Sequence, residues 1–120
     1  MKPMKVAQSD KVPAQPVEEG AQGTTIRWLI SKESGAPNFA MRLFEVAPGG
    51  YTPHHHHAWE HEVFILSGRG AVYTSKAATA ISVQPLAPGT AVLVEPEEEH
   101  QFRNTGEEPL RMLCLIPHTS

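Results

Sequence analysis

Eleven prolines and nine glycines interrupt this 120-residue chain, and no window between them keeps an apolar 3.6-residue period long enough for a helix. What survives is a series of short runs rich in β-branched and aromatic residues. They read TTIRWLIS (24–31), FAMRLFEV (39–46), EVFIL (62–66), AVYTS (71–75), ATAISVQ (78–84), TAVLVE (90–95), HQFRN (100–104) and LRMLCLI (110–116). Turn-forming stretches such as KESGAPN, APGG, SGRG, PLAPG and TGEEP separate them. Short strands at such regular turn spacing predict an all-β sandwich or barrel. The length suits one domain with one core. Residues 1–24 are polar and rich in Pro and Gly; they are expected to form an arm, flexible or swapped onto a partner subunit. Residues 25–117 are expected to form the barrel, and 118–120 a tail.

Composition excludes several function classes. A net charge of −3 and a pI near 6.1 carry no basic excess, which argues against nucleic acid or an anionic membrane as partner. Cys114 is the single cysteine, so no intramolecular disulfide or CxxC motif can form. The first residues lack the apolar core of a secretory signal, and no apolar run approaches the ~18 residues of a membrane span. A cytoplasmic protein is expected.

Strand parity adds an expectation about assembly. In HEVFIL, His61, Val63 and Ile65 point one way and Glu62, Phe64 and Leu66 the other. Both faces are largely apolar. In LRMLCLI, Met112, Cys114 and Ile116 oppose Arg111, Leu113 and Leu115. Two apolar faces predict that some outer faces are covered, most simply by a second copy in a homodimer.

Five of the seven histidines fall between His54 and His61. A purification tag would sit at an end of the chain, not inside a turn-bounded apolar frame. A helical zinc-protease pair would need HExxH, which is absent, and Pro53 disfavours helix before it. In an extended chain His55 and His57 share one face, and His54 and His56 the opposite one. His61 has the parity of His55 and His57. His100 stands at the head of a later strand that pairing can bring across. His118 is expected to be solvent-exposed.

These residues resemble the two motifs of the cupin superfamily. Gly49, five residues, His55-x-His57, three residues, His61, six residues and Gly68 reproduce the spacing of the first motif. His61 stands where most metal cupins place a glutamate; a one-residue shift would use Glu62 instead, on the opposite face. Gly89, His100 and Asn104 match the second motif, with Glu95 and Glu97 in its Pro and Gly slots and Pro96 between them. The chain resembles the small single-domain, four-histidine cupins. The resemblance implies a jelly-roll barrel, the double-stranded β-helix. It also implies one divalent ion on His55, His57, His61 and His100: manganese first, then iron, with zinc, nickel or copper as passengers.

Four neutral imidazoles would leave the ion its full charge, a strong Lewis acid for hydroxide, enolate or peroxide. Two adjacent open positions would suit a small-molecule substrate beside dioxygen or peroxide. The first expectation for function is therefore dioxygenase-like oxidative cleavage. Metal-dependent isomerisation or decarboxylation is the alternative, and non-catalytic small-molecule binding a third. By parity, Ile65, Phe102, Met112 and Cys114 would line an apolar pocket. Glu60, Glu62 and Glu97 to Glu99 are the acidic candidates to accept the second ring nitrogens of the ligands.

Overall fold

Every run expected to be extended contains a strand, and the departures from expectation lie at the turns and at the amino terminus. The computed structural model describes residues 4–77 and 80–118, so residues 78 and 79 of the expected run 78–84 lie outside the described residues. Among the described residues the strands are β1 (Gln15–Pro16), β2 (Gln22–Ile30), β3 (Phe39–Tyr51), β4 (His61–Ser67), β5 (Gly70–Ala77), β6 (Ala80–Leu86), β7 (Ala91–Val94), β8 (Glu99–Asn104) and β9 (Leu110–Pro117). They pair antiparallel in the order β6-β5-β8-β3-β9-β4-β7, and β2 joins β3 to β1 off this path. The sheet curls into an all-β, jelly-roll-like barrel. Among the described residues helical structure is confined to the 3-10 turns Ser9–Lys11 and Lys32–Ser34.

The APGG segment, expected as a sharp turn, is a bulge inside β3. Gln22 pairs with Tyr51 and Thr24 with Val46, so β3 fits residues 47–50 into a gap of one residue in β2. Gly49 takes a φ of 78° there, and a Cβ on Gly50 would stand 2.5 Å from the Gln22 carbonyl. A bulge of this kind bends a strand without ending it.

Residues 9–17 pack on their own barrel. β1 pairs with β2, Gln15 opposite Ile26 and Pro16 opposite Thr25. Arg27 Nη1 donates to the carbonyls of Ser9 (3.3 Å) and Val12 (2.7 Å). The free edge of β2 and the donors of Arg27 both need acceptors, and this segment supplies them. Glu45 receives Arg27 Nε (3.0 Å) and Arg111 Nε (3.2 Å) on the same outer face. Burial alone would raise its pKa, but the two guanidinium bonds outweigh that and hold it below the usual value.

The inner face is the core. Val46, Ile65 and Leu110 expose nothing, and Met112 and Cys114 almost nothing. Burying Ile65 in this way contributes about 1.5–3 kcal/mol. β4 alternates as its sequence predicts: His61, Val63 and Ile65 are buried, while Glu62, Phe64 and Leu66 are exposed. Two motif residues hold the frame. A Cβ on Gly68 (φ 87°) would sit 2.4 Å from the Pro109 carbonyl. Asn104 Nδ2 donates to the carbonyls of Val46 and Glu108, each at 2.8 Å, and its Oδ1 accepts the Gly106 N–H at 2.8 Å.

Candidate metal centre

The histidine tract is aligned by its own backbone. The Thr52 N–H donates to the Phe102 carbonyl (2.9 Å), and the Phe102 N–H to Thr52 Oγ1 (2.9 Å). His55 and His100 then exchange both backbone bonds, at 3.2 and 2.9 Å. Residues 52–55 therefore run antiparallel to β8, and alternation decides which rings turn inward. His55 and His57 face His100. His54 and His56 face outward, near Glu99 (3.6 Å) and Glu97 (3.5 Å).

Three imidazoles converge. Ligating nitrogens of His55, His57 and His100 all lie within 4.8 Å of one another. His57 Nδ1 donates to the Trp59 carbonyl (3.0 Å), and His100 Nδ1 to the Glu98 carbonyl (2.9 Å). A carbonyl can only accept, so both protons sit on Nδ1 and both Nε2 lone pairs are free. These backbone carbonyls fill the role expected of Glu60, Glu62 or the acidic run. The Trp59 ring also stacks on His57, centroids 4.6 Å apart and planes 3° from parallel. His100 Nε2 is buried without a hydrogen-bond partner. A buried lone pair of this kind asks for a ligand, and three converging imidazoles, two of them with anchored tautomers, suit a divalent ion.

His61 lies next to this trio but is engaged elsewhere. Its ring centroid is 5.5 Å from that of His57 and 5.9 Å from that of His100. Its Nε2 accepts a hydrogen bond from Arg42 Nη2 at 2.8 Å. The lone pair that would reach an ion is thus turned onto a guanidinium.

Electrostatics disfavour protonation of His55, His61 and His100. Burial, reinforced by the neighbouring imidazoles, pushes His55 down to about 4. Burial and then Arg42 push His61 down to about 2. Burial also lowers His100. Neutral imidazoles bind metal without first losing a proton. Burial pushes the Cys114 thiol up to about 12, which makes it a packing residue and not a nucleophile.

A cavity of about 160 Å³ opens over the cluster, and Phe102, Met112 and Cys114 line it as parity expects, together with Phe44 and Ile116. Ile65 packs in the core below and is not part of the lining. Glu62 points to solvent on the far side of β4. His118, expected in solvent, is half-buried; its Nε2 donates to the Ala36 carbonyl at 2.6 Å. Arg42 and Trp59 are lining residues that sequence reasoning missed. Arg42 had a signal: it shares the inward parity of Ala40, Phe44 and Val46, a lone charge in an otherwise apolar row.

Residues 42–116 match the Cupin_2 family model, described as a cupin domain. The chain belongs to the cupin family. This cupin is similar in structure to the polyketide cyclase RemF from Streptomyces resistomycificus, with a TM-score of 0.85 and 35% identity, covering 95% of this chain and 79% of that one. In sequence it is 29% identical to 1-methylthio-D-xylulose 5-phosphate methylsulfurylase from Rhodospirillum rubrum, over 90% of this chain and 76% of that protein. It is 30% identical to glucose-6-phosphate isomerase from Pyrococcus abyssi over 72% of this chain, and there it spans about half (49%) of the relative's length.

Proposed function

We propose that this cupin is a metal-dependent enzyme of non-oxidative chemistry, in which a small enolisable substrate is isomerised, cyclised or decarboxylated. The convergence of three imidazoles beneath a small, mostly apolar cavity carries this reading. A divalent ion held by His55, His57 and His100 would supply Lewis acidity to a substrate oxygen. The chain's own part is to anchor the rings through Trp59 and Glu98 carbonyls, to exclude bulk water with Phe44, Phe102 and Met112, and to hold a cation, Arg42, at the same cavity. The oxidative cleavage expected from the ligand set gives way to the alternative, because a cyclase and an isomerase are among the proteins this chain resembles. Manganese is the first metal of this proposal and iron the second.

Solvent exchange tests it. Manganese-loaded protein, incubated without oxygen in D₂O with a panel of small enolisable ketones and acids, is expected to exchange α-hydrogens in at least one. EDTA is expected to abolish the exchange. Oxygen consumption with no exchange anywhere in the panel would overturn the reading and restore oxidative cleavage.

We also infer that a second copy covers the outer face of β4 and β7, where Phe64, Leu66 and Leu93 stay 43%, 41% and 56% exposed. Three large apolar side chains in adjoining strands are more than scattered surface residues. Sedimentation should give a dimer for the native chain and a monomer for Phe64→Glu with Leu93→Glu; a native monomer would refute the inference.

A further inference from the structure

Arg42 is the least explained residue of the molecule. It projects from β3 into the cavity and is 9% exposed. Among the described residues no carboxylate forms an ion pair with it. Its neighbours are the rings of Trp28 and Phe44, 5.4 and 5.0 Å from the guanidinium carbon to the ring centroids. Aromatic faces attract a cation but offer no lone pair to its N–H groups. Nη2 has one acceptor, the Nε2 of His61, and Nε is buried with none. A buried guanidinium normally pairs with an anion, because removing its charge from water is costly. Of the Nε and Nη2 donors, only Nη2 thus meets an acceptor, and that acceptor is a single imidazole nitrogen. The acceptor that matches two parallel N–H groups is a carboxylate.

We propose that Arg42 is the carboxylate-binding element of this cavity, and that its ligand is a small monocarboxylate with a flat apolar body. The size follows from the cavity, whose 160 Å³ is close to the ~150 Å³ that holds a single benzene ring. The apolar body follows from Phe44, Trp59, Phe102 and Met112 in the lining. The placement also accounts for His61. While Arg42 donates to its Nε2, His61 is withheld from the imidazole trio. A carboxylate arriving on the guanidinium supplies the competing acceptor and releases that ring. The inference deepens the non-oxidative reading by naming the charge on its substrate, yet it concerns binding alone and can be tested without turnover.

The test is calorimetric titration of the manganese-loaded full chain with benzoate and with its neutral isostere, benzamide. Arg42→Met is expected to weaken benzoate binding by at least about tenfold, the size of a lost charge-assisted hydrogen-bond pair, and to weaken benzamide binding by a clearly smaller factor. Arg42→Met should keep its manganese, because the donor competing for His61 is gone. Arg42→Lys, which keeps the charge and loses the fork, should fall between wild type and Arg42→Met for benzoate; it carries the test if Arg42→Met does not fold. Equal benzoate affinity in wild type and the variants would overturn the proposal. So would loss of metal from a folded Arg42→Met, which would make the guanidinium a support for His61 alone. Benzoate binding through Arg42 with no α-hydrogen exchange would leave the anion site standing and remove the non-oxidative reading.

Discussion

His54 and His56 differ from His55 and His57 in nothing but position, and the fold gives the two pairs opposite fates. The outer pair keeps more than half of its side-chain surface in water and stands near exposed glutamates. Such pairs contribute little, because solvent screens them. The inner pair meets His100 across a backbone bridge, with ligating nitrogens within 4.8 Å. His55 remains at the rim, its pKa pushed down to about 4 by burial and by the other rings. His57 is locked by the Trp59 carbonyl and stacked on the Trp59 ring. A one-residue step along an extended chain reverses the face, so function here follows parity, not composition.

The sharpest test of this contrast removes an inner ring. His57→Ala or His100→Ala should lower manganese affinity by at least roughly 100-fold, the upper end of what loss of a ligand's supporting partner costs, measured as metal retained after dialysis. Retention near the wild-type value in both would break the comparison. His61→Ala should cost less, about 10-fold, because its Nε2 is held by Arg42 and not by the trio; a loss as large as that of His57→Ala would place it among the ligands.

Acidification gives a smaller signal with a defined sign. In the folded, metal-free protein His55 and His61 titrate near 4 and 2, against an ordinary 6.5. Between pH 6.5 and 4 the unfolded chain therefore binds more protons, and stability falls as pH falls. The melting temperature in EDTA should drop across that window, and His55→Ala should flatten the slope. A melting temperature that rises on acidification would contradict the depressed pKa values of these two rings. The smallest effect belongs to the outer pair. His54→Ala with His56→Ala should leave metal content unchanged and shift stability by no more than about 0.5 kcal/mol. A marked loss of metal from that double variant would sink the parity argument altogether.

Much of the frame was legible without coordinates because its signals are local. Turn residues at 67–70 and 85–89, alternation in HEVFIL, and the spacing from Gly49 to Gly68 depend on neighbours a few positions apart. The bulge at 47–50 was not legible. APGG has turn composition, and only the Gln22–Tyr51 and Thr24–Val46 pairings make it part of a continuing strand. The docking of the amino-terminal segment was not legible for a similar reason: its polar composition says nothing of the Arg27 donors that meet the Ser9 and Val12 carbonyls.

What the amino-acid order alone determined is the all-β class, the inward parity of His55, His57 and His61, and His100 as their remote companion, since pleat and turn chemistry act over a few residues. Tertiary structure decided which rings close on one point, that backbone carbonyls and not glutamates anchor His57 and His100, and that Arg42 reaches His61 across the barrel. Those outcomes depend on strand register between residues distant in the chain, and register is set by the packing of the whole sheet.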